Sequence, residues 1–251
     1  MLGLILCAGK QTRFNSGVPK ALMPYNKDKT ILGKNIETMI EFVNDIILVL
    51  NKDNNNTLYE EYANNFVRII EIESGHGSGD AILQIFNQLK TVEEIFADIF
   101  LIWGDSIQDS TALYRTTLNN YNDYCTVPIR LENEPYTHFV CDHDNIIKSV
   151  EFKNRGAKYI QGYHDFSLFL FNLVKMNVIL DSYNLMKWLP ENNKYDTING
   201  EFEFLDIFNQ FNYLEFAKAV IIDNIKSNNA FNTMEEYLKL INGVTDENSK
   251  Q

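Results

Sequence analysis

A wholly apolar run, Leu2-Gly-Leu-Ile-Leu-Cys7, opens this chain and breaks at once into Ala8-Gly9-Lys10-Gln11-Thr12-Arg13-Phe14. A short strand without polar alternation is buried on both faces, as happens inside a parallel sheet flanked by helices. The loop after it lies at the carboxyl edge of such a sheet and brings Gly9 and Arg13 there, and Pro19-Lys20-Ala21-Leu22-Met23-Pro24 adds Lys20. Small residues let backbone N–H groups approach phosphate oxygens, and two cations neutralise them. The combination suits a nucleoside triphosphate.

The first half of the chain repeats this alternation. Leu32–Phe42 has helical spacing, Asp45–Leu50 is a second buried strand, Thr57–Phe66 is helical, Val67–Ile72 is a third strand and Ala81–Leu89 a helix. Asp98-Ile-Phe-Leu-Ile-Trp103 forms a fourth strand that runs into Gly104-Asp105-Ser106. Such alternation predicts a parallel, doubly covered sheet with right-handed crossovers. Beyond about residue 124 the pattern changes: Tyr136–Glu151 alternates about Asp142-His-Asp-Asn145, the signature of a hairpin. A strand at Ser167–Phe171, helices near Leu173–Trp188 and Phe202–Phe211, a late strand at Ala217–Ile222 and a terminal helix at Met234–Ile241 follow. No Pro- or Ser-rich linker divides these segments, so one α/β domain is expected over 1–244, with a polar tail at Thr245–Gln251. Within it, 1–123 would hold a nucleotide and 124–244 an acceptor.

Composition works by exclusion. The 251 residues can bury one generous α/β core. A net charge of -12 argues against nucleic acid or an anionic membrane as partner, since both select clustered Lys and Arg. A free nucleotide needs only a local basic pocket. Cys7, Cys125 and Cys141 have neither metal-ligand nor C-x-x-C spacing and read as reduced core thiols of a cytoplasmic protein. The run before Cys7 is too short for a signal peptide and lacks a basic start, no stretch approaches a membrane span, and no hexapeptide repeat is present.

Two further segments carry chemistry. Asp105 follows an apolar strand with only Gly104 between, and ligands of open α/β sheets sit beyond the carboxyl ends of the strands. Mg²⁺ takes one or two carboxylates beside phosphate oxygens and water, but Asp also caps turns and helices, so this residue fits either use. Glu73-Ser-Gly-His-Gly-Ser-Gly-Asp-Ala81 is a glycine loop between strand and helix, whose exposed backbone groups can hydrogen-bond a base edge or ribose. His76 in such a loop is expected to face solvent.

The pattern L-x-A-G-x-x-x-R-F followed by P-K-x-L-x-P resembles the signature of the nucleotidyltransferases that make nucleotide sugars and related activated metabolites, with Gln11 where many members carry a second glycine. The resemblance implies a Rossmann-like, glycosyltransferase-A-type fold with a mostly parallel central sheet covered by helices on both faces. It also implies Mg²⁺-dependent transfer of a nucleotidyl group to a phosphorylated acceptor, with release of pyrophosphate. By this resemblance Leu6, Ala8, Gly9 and Lys10 contact the nucleotide, and Arg13 and Lys20 are catalytic cations. Asp105 becomes a metal ligand. Ala230–Leu238 resembles the segment that carries a second ligand, at Asn232, with Asp223 a weaker candidate. Pattern alone equally makes Asn232 the N-cap of a terminal helix, with Glu235 completing a capping box.

Gly77, Ser78 and Ala81 match the family's base-reading loop, with Gly79 in place of the usual alanine. Val150-Glu-Phe-Lys153 resembles the segment whose lysine contacts the acceptor phosphate, and Asn199–Ile207 the one whose acidic residue contacts an acceptor polar group. Glu151, Glu201 and Glu203 suit an acceptor bearing an ammonium group, although solvated surface charge accounts for them equally well. Compact members include cytidylyltransferases acting on small phosphorylated compounds, which favours CTP as nucleotide and phosphoglutamine as acceptor, for bacterial capsule modification. A sugar-1-phosphate uridylyl- or thymidylyltransferase is the alternative. A glycosyltransferase usually shows D-x-D at the metal, where this chain reads Gly104-Asp105-Ser106, the loop from Gly9 lacks the G-x-G-x-x-G spacing of a dinucleotide oxidoreductase, and retention of Arg13, Lys20 and Asp105 argues against a silent binding module.

Overall fold

The computed structural model describes residues 1–9, 18–54, 56–73, 75–89, 91–223, 225, 231, 234–238 and 241. Lys10, Arg13, Asn232 and the tail Thr245–Gln251 lie outside the described residues.

Strands β1 (Leu2–Leu6), β2 (Asp45–Asn51), β3 (Val67–Ile72) and β4 (Asp98–Trp103) are parallel neighbours in the order β4-β1-β2-β3. Their side chains alternate between two cores. Leu2 and Leu4 pack with Ile82 and Phe86 of helix α2 (Ser78–Phe86), while Ile5 packs with Leu32 and Met39 of α1 (Ile31–Met39). Burial on both faces is why these strands carry no polar alternation. Thr30 caps α1 through the Gly33 N–H at 3.0 Å, and the single turn α3 (Val92–Ile95) begins with a Thr91–Glu94 capping box just before β4. Helix α4 (Thr111–Asn119) adds Leu113 and Tyr114 to the α1 side.

The second half contributes β5 (Cys125–Asn133), the antiparallel hairpin β6 (Thr137–Cys141) and β7 (Ile147–Phe152), then β8 (Gln161–Asp165) and β9 (Leu168–Asn172). Helix α5 (Leu173–Lys187), the two-residue pair β10 (Trp188–Leu189) and β11 (Lys194–Tyr195), the short α6 (Asp206–Gln210) and β12 (Ala217–Ile221) complete it. The eight-stranded sheet runs β12-β5-β9-β4-β1-β2-β3, with β8 on β5. It is mostly parallel but mixed, because β9 lies antiparallel between β4 and β5. No α-helix intervenes between β5 and β8, only the β6–β7 hairpin and the 3₁₀ turn Lys153–Arg155, so the chain returns along β5 without the crossover that parallel pairing needs.

Strands β8 and β9 are one run kinked at Phe166–Ser167. Ser167 has φ +57, its N–H donates to Asp165 at 2.7 Å, and the Phe166 N–H donates to the Pro128 carbonyl. Pro128 sits where the partner of β5 changes from β9 to β8, a position that tolerates a missing N–H. A proline inside an apolar run reads as a breaker, so β5 goes unrecognised in the sequence, and β8, Gln161-Gly-Tyr-His-Asp165, carries no apolar run to announce it.

Two predicted helices are shorter than their spacing implies. Thr57–Tyr62 is a 3₁₀ helix, ended by Asn64, whose side chain accepts the Phe66 and Val67 N–H groups and turns the chain into β3. Phe202 and Glu203 are loop and Phe204–Leu205 a turn, because the Phe202 carbonyl and the Phe204 N–H bond the glycine loop instead, and the helix is only α6. All three cysteines are free, Cys7 and Cys125 buried and Cys141 half-buried. Among the described residues no helix is long and apolar enough to cross a membrane.

Candidate active site

The carboxyl ends of β1 and β4 meet side by side. Leu6 is in register with Trp103, and the Gly104 N–H donates to the Leu6 carbonyl at 2.9 Å. A Cβ at position 104 would lie 2.3 Å from the Cys7 sulfur, so only glycine lets the strands turn outward this close. Ala8, Gly9 and Asp105 thereby reach one edge, as the sequence predicts. Burial and the neighbouring Asp105 charge push the Cys7 thiol far above the ordinary thiol range, which keeps it protonated at the floor of the site. The loop beyond Asp105 is held from α1. Buried Asn35 donates to the Ser106 carbonyl at 2.7 Å and accepts from the Gln108 N–H at 2.8 Å, while the Gln108 side chain donates to the Phe166 carbonyl. A buried amide with both ends satisfied fixes the loop, and with it Asp105.

Lys20 enters from the 3₁₀ turn Lys20–Leu22 and is almost wholly buried, at 8% exposure. Its Nζ donates to the Phe231 carbonyl at 2.8 Å and to Asp105 at 3.3 Å, and stands 5.5 Å from the Phe231 ring centre. Phe231 is anchored in a third apolar cluster with Met23, Tyr25 and Tyr237, and the Tyr237 hydroxyl donates to the Pro24 carbonyl at 2.6 Å.

The opposite wall comes from the glycine loop. Gly77 has φ +109, and its neighbours leave no room for a side chain, since a Cβ would lie 2.4 Å from the Phe202 carbonyl oxygen. The Gly79 N–H donates to that carbonyl at 2.8 Å, and the Ser78 hydroxyl donates to Glu203 at 3.0 Å while accepting the Phe204 N–H at 2.8 Å. The loop and residues 202–204 are thus bonded together. Burial pushes the Glu203 carboxyl above the usual carboxylate range, with Glu201 and Asp206 adding to the effect and the Ser78 hydroxyl and Arg155 opposing it. His76 is not the fully exposed side chain expected. It is half-buried, with its ring 5.1 Å from Trp188, and the backbone N–H of His76 donates to Asp80 at 3.1 Å.

These walls enclose a cavity of about 480 Å³, the size of a small-ligand site. From the nucleotide-side expectations it collects Leu6, Ala8, Gly9, Gly77, Ser78 and Ala81. Lys20, Asp105, Glu201 and Glu203 line it as well. Glu151 and Lys153 do not: Glu151 accepts from the Tyr159 hydroxyl, and Lys153 is paired with Glu134 at 3.2 Å on the surface. The cation that reaches toward Glu203 is instead Arg155, which forks onto the buried Asp206 carboxylate and lies over the Phe152 ring at 4.2 Å. It stands two residues from Lys153, and no local pattern distinguishes the two. Sequence reasoning also passed over Trp103, whose indole lines the cavity and packs on Phe169 and Phe204. Arg155→Met should lower unfolding free energy by about 3 kcal/mol in denaturant titration, because Asp206 is left buried and unpaired. Arg155→Met with Asp206→Leu should recover much of that loss.

A family model for the MobA-like NTP transferase domain matches residues 3–160, more than half of the chain. The chain belongs to that family. Members transfer nucleotidyl groups, and the match spans β1, the glycine loop and Asp105 of this NTP transferase. Its fold is also that of a candidate glucose-1-phosphate thymidylyltransferase from Bacillus anthracis, solved in complex with sucrose, at TM-score 0.71 and 14% identity over 96% of this chain and 94% of that one. HddC from Yersinia pseudotuberculosis is similar at TM-score 0.64 and 17% identity, over 97% and 99%. No curated protein sequence matches the transferase significantly.

Proposed function

We propose that this NTP transferase moves CMP from CTP onto a small phosphorylated acceptor, phosphoglutamine first, releasing pyrophosphate, in the modification of a bacterial capsule or surface polysaccharide. The observation that carries this reading is the single cavity in which Gly9, Lys20 and Asp105 face Gly77, Ser78, Glu201 and Glu203. The phosphate-gripping elements and Asp105 come from 1–123, Glu201 and Glu203 from 124–244. An oxygen of the acceptor phosphate attacks the α-phosphorus as the bond to the bridging oxygen of pyrophosphate breaks. Such a transfer needs positioning and charge neutralisation rather than a nucleophilic side chain. A phosphate monoester is already largely dianionic near neutral pH, so no general base is required.

Lys20, buried and bonded to the Phe231 carbonyl, would neutralise phosphate charge together with Arg13, while Lys10 contacts the nucleotide. Asp105 fits a divalent cation, since its carboxylate is 44% exposed to the cavity and already holds a cationic group, the Lys20 ammonium. Asn232 follows Phe231 directly and is the proposed second ligand. Mg²⁺ bound there would supply electrostatic neutralisation of the triphosphate. Glu203 supports the cationic acceptor: burial raises its carboxyl above the usual carboxylate range, and an incoming ammonium would favour its charged form. Lys153 and Glu151 belong to this reading only if the acceptor extends beyond the cavity, and Lys153→Ala tests that through the acceptor's KM.

A pyrophosphate-release screen of the four nucleoside triphosphates against phosphorylated amines and hexose 1-phosphates tests the assignment. CTP should exceed UTP by roughly a hundredfold or more in kcat/KM, because a site accepting a hydrogen bond from the cytosine amine leaves a buried group unpaired with uracil. Comparable use of UTP or dTTP with a hexose 1-phosphate, and no transfer to phosphorylated amines, would replace this reading with a sugar nucleotidyltransferase.

A further inference from the structure

The reading above gives Lys20 to the nucleotide phosphates, yet its ammonium is bonded to Asp105, the residue proposed to hold the divalent cation. A lysine reaching a carboxylate across 85 positions of sequence, from an almost fully buried stem, is not a loose surface pair. Its second bond, 2.8 Å to the Phe231 carbonyl, and the Phe231 ring beside it form a socket that holds the ammonium against Asp105. The rim supports this geometry on both sides, with Tyr237 bonded to Pro24 next to the Lys20 turn and Asn35 fixing the loop after Asp105.

From this juxtaposition we infer that Lys20 is a tethered counter-ion which occupies Asp105 until a nucleotide arrives, so that divalent cation enters with the triphosphate and not before it. The inference rests on the proposed nucleotidyl-transfer site. The physical argument is competition. An ammonium on one oxygen of Asp105 repels a divalent cation and takes up a lone pair that cation would use, and a site that is available only a fraction of the time binds its ligand more weakly by that fraction. A bound triphosphate gives the ammonium anionic oxygens within the same cavity, which releases Asp105 at the moment that the phosphates themselves recruit a divalent cation. Order of binding then follows from electrostatics alone, with no hinge or lid.

The consequence has an unusual sign: removing a cation from the phosphate grip should tighten metal binding in the absence of nucleotide. Binding of Mn²⁺ to the full chain, read as loss of the free-ion electron paramagnetic resonance signal, tests it without reference to turnover. Wild type should bind Mn²⁺ weakly alone and tightly with CTP. Lys20→Met should bind Mn²⁺ alone about tenfold more tightly than wild type, as expected if Asp105 is unpaired about a tenth of the time. Lys20→Arg, which keeps the competing charge, should stay weak, and Lys20→Met with Asp105→Asn should lose the gain. Circular dichroism and melting establish that each variant is folded, and Lys20→Arg carries the comparison if Lys20→Met is not, its Mn²⁺ affinity then having to remain within about threefold of wild type. Unchanged or weaker unaided Mn²⁺ binding in folded Lys20→Met, with Asp105→Asn still abolishing Mn²⁺–CTP binding, would overturn the counter-ion role and leave the site assignment standing. Mn²⁺–CTP binding indifferent to Asp105→Asn would remove the site assignment itself.

Discussion

Asp105→Asn is expected to lower turnover by at least about a hundredfold at saturating substrates, the scale of losing one preorganised charge contact in a transition state. The substitution keeps the shape and a hydrogen-bond acceptor while removing the charge that Lys20 meets at 3.3 Å. Because the carboxylate is 44% exposed and the loop behind it is held by Asn35, the melting temperature should change little. Activity loss with an unchanged melting curve separates a chemical role from a structural one. Wild-type activity should vanish in excess chelator and return with Mg²⁺. A full rate in chelator, or a variant as fast as wild type, would remove Asp105 from the chemistry.

Gly77→Ala is expected to be the most damaging single methyl in the protein. The residue sits at φ +109 and ψ 175, a region that is essentially restricted to glycine and costs other residues about 1–3 kcal/mol. The added carbon would also meet the Phe202 carbonyl oxygen at 2.4 Å, so the 202–204 segment must move away. That movement breaks the Gly79 and Ser78 bonds to the segment and displaces Glu203. The combined loss should be about 3 kcal/mol or more, a fall of roughly 6–12 °C in melting temperature for a chain of this size. The KM for acceptor should rise along with that for nucleotide, since both walls of the cavity share this joint. A melting temperature within about 2 °C of wild type would mean that the loop is free of Phe202 in solution.

Much of this architecture is legible in the chain itself. The uninterrupted apolar run at Leu2–Leu6 specifies a strand covered on both faces, and β2, β3 and β4 follow from the same signal. The turn at Asp142–Asn145 likewise announces the β6–β7 hairpin, with Asn145 at φ +63. Local propensity failed at Pro128, where a residue that normally interrupts a strand sits at the one place where β5 changes partners. It failed again at Phe202, where helical spacing was overridden by backbone bonds to the glycine loop. Lys153 was drawn to the acceptor by its neighbours in sequence, but the fold turned it to the surface and presented Arg155 to Asp206 and Glu203.

By itself, then, the sequence determined β1–β4, the β6–β7 hairpin, β9, helices α1, α2 and α5 and the placing of Gly9 and Asp105 at strand ends, because hydrophobic period and turn residues act over a few positions and are written in order along the chain. Only the tertiary structure decided which charges meet. Lys20 finds Asp105 and Phe231, Ser78 finds Glu203, and Arg155 finds Asp206 across 85, 211, 125 and 51 positions. Such contacts depend on sheet order and on which backbone groups are left to be satisfied once the strands have paired, and these are properties of the whole packed chain rather than of any segment in it.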